Sequence, residues 1–77
     1  MTQLCQLVAG ILKVDASKVG PEAGPLTLPQ WDSFHHVHIV VAVEETFGVQ
    51  LSPDEIVGLL SVSDIAGALQ KRGILVD

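Results

Sequence analysis

Three prolines, Pro21, Pro25 and Pro29, punctuate the approach to Trp31-Asp32-Ser33-Phe34, and from His35 to Phe47 the chain then runs without a glycine or proline. An irregular approach followed by an unbroken helical pattern fixes where a central helix must begin. Asp32 or Ser33 is its natural N-cap, because a side-chain oxygen there accepts from the unpaired N–H groups of the first turn. The Ser33 hydroxyl is thus offered outward on a rigid platform, with an acid beside it. Such a serine suits modification by another enzyme better than it suits nucleophilic attack.

Size and charge narrow the function classes. A chain of 77 residues makes a single domain, 1–77, with a modest core and little room for an enclosed catalytic pocket. Nearly half its residues are apolar and only 17% are charged, so it should fold. A net charge of −5 argues against nucleic acid, whose phosphates call for a basic patch. From Glu22 to Ile65 there is no Lys or Arg, a field suited to a basic partner. Cys5 is the only cysteine, which excludes an intramolecular disulfide and fits a cytoplasmic setting. Its neighbours Leu4, Leu7 and Val8 predict a buried thiol. No signal peptide or membrane span is visible, and a soluble monomer is expected.

The periodicity reads as helices throughout. Leu4, Leu7, Val8, Ile11 and Leu12 recur at three- and four-residue spacing and predict a helix over Thr2–Leu12. A long loop, Lys13 to Trp31, follows. Loops of this length tend to be functional or packed by their own side chains; Val14, Val19, Leu26 and Leu28 are the expected anchors, and Trp31 is expected to fasten the loop's end. The second helix, Ser33 to Phe47, should bury Ile39, Val40, Val43 and Phe47 and leave Phe34, Val37 and Val41 exposed. Gly48 stops it. Ser52-Pro53-Asp54-Glu55 is a capping box opening a short third helix, about Pro53–Leu60. Ser61 or Ser63 caps a fourth helix ending near Arg72, before Gly73. The sum is an all-α fold, a small four-helix bundle with a long first loop and a short third helix, its interior lined by Ile39, Val43, Phe47, Leu59 and Ile65.

Candidate chemistry is sparse. His35 and His38 share a helix face, but two ligands without a matching acid or cysteine do not make a metal site, and the three histidines, His36 included, read as a polar surface facing a partner. A hydrolase reading of Ser33 lacks a glycine-rich elbow and an oxyanion hole. Glu44-Glu45 and Asp54-Glu55 are adjacent rather than converging, as on a solvated acidic face. No enzyme emerges from these residues.

Asp32-Ser33-Phe34 followed by Val37 to Phe47, ending in Glu44-Glu45-Thr46-Phe47, resembles the acyl carrier protein signature, in which Asp-Ser-Leu opens a helix that closes on Glu-Glu-x-Phe. The match continues without gaps through Gly48-Val49-Gln50-Leu51, the capped third helix and Ser61 to Ile65, and upstream Leu12-Lys13-Val14-Asp15 and Val19 resemble the family's exit from its first helix. The resemblance implies that Ser33 carries a covalent 4′-phosphopantetheine arm, whose thiol holds acyl or aminoacyl groups as thioesters. It implies that Asp32 helps a phosphopantetheinyl transferase to recognise the serine. Phe34, His35, Val37, His38, Val41, Glu44 and Glu45 would meet the partners: an acyl-loading or adenylating enzyme and a downstream acyltransferase or synthase. Two departures matter. Gln30-Trp31 replaces the glycine-containing lead-in of fatty-acid carriers, and His35 and His38 stand where acids are common. An imidazole is weaker in charge than a carboxylate but still hydrogen-bonds. The tryptophan form is similar to free-standing carriers of specialised biosynthetic pathways. A helical interaction module that kept the fold without the arm is the alternative.

Overall fold

The computed structural model describes residues 2–75 and contains four α-helices. They are α1 (Thr2–Leu12), α2 (Ser33–Phe47), α3 (Pro53–Val57) and α4 (Val62–Gln70), with no strand among the described residues. Helix α1 packs on both α2 and α4. Leu4 and Val8 of α1, Ile39 and Val43 of α2, and Val62, Ile65 and Leu69 of α4 are all but sealed from solvent in the shared core.

Each helix ends for a local reason. Beyond α1, Lys13 takes a left-handed conformation (φ 59°), and the Val14 N–H returns to the Ala9 carbonyl at 3.1 Å. Gly48, also left-handed (φ 67°), closes α2. Helix α3 opens with the expected capping box: the Glu55 N–H donates to Ser52 Oγ, and the Ser52 N–H donates back to Glu55 Oε1 at 3.0 Å. It is shorter than its sequence pattern predicts. Leu59 turns into the core and the Asp64 carboxylate captures the Leu60 N–H at 3.0 Å, so residues 58–60 serve as a connection. Helix α4 is capped by Ser61 rather than Ser63, and it stops at Gln70, two residues before the expected end.

The long first connection is ordered by its own contacts. Asp15 caps a single 3-10 turn, Ala16–Lys18, that the sequence periodicity did not reveal. The carbonyls of Ala23 and Pro21 accept from the Val62 and Ser63 N–H groups, both at 2.9 Å, so the loop satisfies first-turn donors of α4 that would otherwise go unpaired. Val19 and Trp31 are buried, and Val14 and Leu28 pack partly against the core. Leu26 does not: it is 84% exposed, because Ala23 and Gly24 take the inward positions at that bend. Two other expectations need correction. Phe47, the last residue of α2 where the chain turns away, is only half-buried, as is Cys5, although both pack against the core.

Two contacts brace the end of the molecule that carries α3. The Arg72 guanidinium grips Glu55 with both nitrogens, Nη1 reaching Oε2 at 2.8 Å, and Nη2 also donates to the Gln50 carbonyl at 3.1 Å. On the other side, Gly24 lies so close to the α3–α4 connection that a Cβ there would sit 2.0 Å from the Leu60 carbonyl oxygen.

Two outcomes follow from these braces. Gly24→Ala forces apart two backbones rather than a flexible side chain, and should destabilise the fold by about 1–3 kcal/mol, the usual range for overpacking, measured by urea unfolding. Glu55 is held at a pKa of about 2 instead of 4.5, first by Arg72 and then by the Ser52 N–H. A carboxylate depressed in the folded state stabilises above its unfolded value and loses that contribution as it protonates. Melting temperature should therefore fall between about pH 4.5 and 2, and Glu55→Gln should flatten the fall over that window.

Candidate functional site

Asp32 is the N-cap of α2 and Ser33 its first helical residue. One Asp32 carboxylate oxygen accepts from the His35 N–H at 2.9 Å and from His35 Nδ1 at 2.8 Å, while the Asp32 carbonyl accepts from the His36 N–H at 2.8 Å. The His35 N–H, and secondarily its side chain, hold the Asp32 pKa below the ordinary carboxylate value, so an ionised carboxylate stands next to the serine. Among the described residues, the first-turn N–H groups of Ser33 and Phe34 have no protein acceptor. Free amides at the positive end of a 15-residue helix favour a negatively charged group on the exposed serine oxygen.

An apolar groove of about 490 Å³ begins at Ser33. Pro25 and Trp31 of the loop, Val37 of α2, and Val57 and Leu60 at the far side line it, and His36 and Ile56 border it as well. A serine that is esterified through a phosphate would find an apolar trough for an attached flexible chain directly at its side.

The partner-facing residues expected on α2 separate into two groups. Phe34, Val37, His38, Val41 and Glu45 fall at helical spacing on one exposed stripe; Phe34 is 76% and Val37 60% exposed. His35 is half-buried and bound to Asp32. Glu44 is also half-buried, its carboxylate accepting the Leu51 N–H at 2.8 Å, so it ties α2 to the following loop.

His36 departs from the surface role expected of it. Its Nδ1 accepts from Trp31 Nε1 at 2.9 Å, and its Nε2 meets the Ile56 carbonyl oxygen at 2.9 Å. An indole N–H only donates and a carbonyl only accepts, so His36 carries its hydrogen on Nε2. His35, facing a carboxylate, carries one on Nδ1. Adjacent histidines thus hold opposite roles. A signal for this lay in the sequence, since position 36 is in helical register with Ile39, Val40 and Val43 and shares their inward face.

Residues 2–69 match the family described as the phosphopantetheine attachment site. The chain is 39% identical over 66 residues to an acyl carrier protein of Thermosynechococcus vestitus, covering 86% of this chain and 82% of that one. It is 32% identical over 68 residues to an acyl carrier protein of Thermobifida fusca, covering 88% and 86%. A meromycolate extension acyl carrier protein of Mycolicibacterium aurum is 28% identical over 68 residues, covering 88% and 70%. The protein belongs to the acyl carrier protein family. It is a carrier and not a catalyst, its cofactor is covalently bound phosphopantetheine, and it works through partner enzymes such as a phosphopantetheinyl transferase and synthases. Among the described residues no helix is long and apolar enough to cross a membrane.

Proposed function

We propose that Ser33 is the attachment point of the 4′-phosphopantetheine arm and that the carrier serves a specialised biosynthetic pathway, holding acyl or aminoacyl groups as thioesters. The observation that carries this reading is the exposed Ser33 hydroxyl beneath two unpaired amides at the head of an apolar groove. The Ser33 and Phe34 N–H groups would face the phosphodiester, and Pro25, Val37, Val57 and Leu60 would line the path of the arm. The arm supplies the thiol that bears the cargo. This chain supplies position, keeping a reactive group at high local concentration for enzymes that dock beside it.

The exposed stripe of Phe34, Val37, His38, Val41 and Glu45 is the proposed docking face, with Asp32 the acid read by the transferase. An acyl-loading or adenylating enzyme and a downstream acyltransferase or synthase are the proposed partners, meeting a monomer in the cytoplasm. The imidazole of His38, exposed where fatty-acid carriers commonly present an acid, supports a partner set distinct from the fatty-acid enzymes.

Co-expression with a broad-specificity phosphopantetheinyl transferase should add the mass of one arm to the intact protein, and none to Ser33→Ala. An arm retained on Ser33→Ala would place the attachment elsewhere. No addition by several transferases would leave an unmodified interaction module. The pathway reading is checked at His38, because His35 is tied to Asp32 and a carboxylate there would repel it. His38→Glu should raise loading by basic fatty-acid enzymes several-fold, through on-rate and in a salt-sensitive manner, while slowing the cognate loading enzyme. Equal loading of both carriers by both enzyme types removes the support that His38 lends to a specialised pathway.

A further inference from the structure

The floor of the groove beside Ser33 is also the roof of the core. Trp31 and Leu59 line the groove and belong to the buried cluster at the same time. His36 and Ile56 line the groove as well, so the hydrogen-bonded line from Trp31 Nε1 to His36 Nδ1 and from His36 Nε2 to the Ile56 carbonyl is part of that floor. It joins the first loop, α2 and α3. Both ends are fixed: Trp31 is 1% exposed, and Ile56 sits in a helix anchored at its start by the capping box and Arg72. A chain that enters the core from the groove by parting α2 from α3 has to break the His36–Ile56 bond.

We propose that the Trp31–His36–Ile56 bridge sets cargo length: it holds α3 against α2, keeps the acyl group in the open groove, and confines this carrier to short acyl or aminoacyl groups. His36 is a positioning residue in this role, acting through α3 and not on the thioester. The groove offers about 490 Å³, and arm and cargo must share it. A short group rests against Pro25, Val57 and Leu60. A long aliphatic chain outgrows this lining and stays wetted, because the next apolar volume lies behind the bridge. The inference rests on the reading of Ser33 as the attachment point.

The test uses the full chain loaded by a phosphopantetheinyl transferase with arms bearing acetyl, octanoyl or palmitoyl groups. Intact mass first establishes that each arm is on Ser33; failure at that step counts against the attachment reading and not against the bridge. Melting temperature is then compared with that of the unacylated arm form. In the natural sequence the stabilisation should level off, with palmitoyl adding nothing beyond octanoyl. In His36→Leu, which can neither accept from Trp31 nor donate to Ile56, stabilisation should climb by several degrees from octanoyl to palmitoyl. Emission of Trp31, the only tryptophan, should be quenched by a bromine at the far end of the long chain in that variant alone. His36→Gln should restore the level profile, since its amide can accept and donate at similar spacing. A purely structural histidine would lower every melting temperature equally and leave the dependence on chain length unchanged. That result overturns the proposal. So does a natural carrier whose stability rises steadily to palmitoyl, however the variants behave. If His36→Leu does not fold, His36→Phe, a ring that can make neither hydrogen bond, is read by the same melting series.

Discussion

A single buried N–H organises the functional end of this protein. Trp31 is the largest side chain in the sealed core, and its burial brings strong apolar stabilisation together with one donor that has to be satisfied. Leaving such a group unpaired costs about 1–3 kcal/mol, a large share of what a small domain has. His36 resolves this by accepting the indole hydrogen and passing its own to Ile56. The loop that ends at Trp31, the first turn of α2 and the last turn of α3 therefore assemble together.

Helix α3 shows how far that dependence reaches. Five residues are well below the length at which an isolated helix holds its shape in water. It is kept by groups from elsewhere: Ser52 at its start, Arg72 of the chain's final turn on Glu55, and His36 at the Ile56 carbonyl. The wall of the groove formed by Val57 and Leu60 is accordingly placed by contacts from α2 and from beyond α4, and its position reports on the whole bundle.

Helix α2 serves two surfaces at once, which is why apolar residues occur on both its inward and its outward face. Its inward face, His36, Ile39, Val40 and Val43, supports the core and the bridge. Its outward face, Phe34, Val37, His38, Val41 and Glu45, is offered to solvent. A carrier has to be gripped repeatedly by different enzymes without distorting the core that positions its serine. Rigid packing on one side and shallow apolar side chains on the other meet both needs, while the absence of Lys and Arg from Glu22 to Ile65 leaves the surrounding field to acids.

The helices and their starts were legible in the chain because capping and periodicity are local. Asp32, Ser52 and Gly48 announce their roles through backbone groups within three or four residues, and Ile39, Val40 and Val43 declare an inward face by spacing alone. The exposed serine with its acid was legible for the same reason. What the tertiary structure decided lies in contacts whose partners are distant along the chain. The Arg72 grip on Glu55 depends on how the end of α4 meets α3, and the approach of Gly24 to Leu60 and the seating of Ala23 and Pro21 on α4 depend on how the long loop returns. Three neighbouring histidines looked equivalent as a polar surface. His35 went to the carboxylate of its own helix cap, a local contact, but only the packed bundle left His38 exposed and set His36 against a carbonyl twenty residues away, because a hydrogen-bond partner supplied by another element is chosen by the fold.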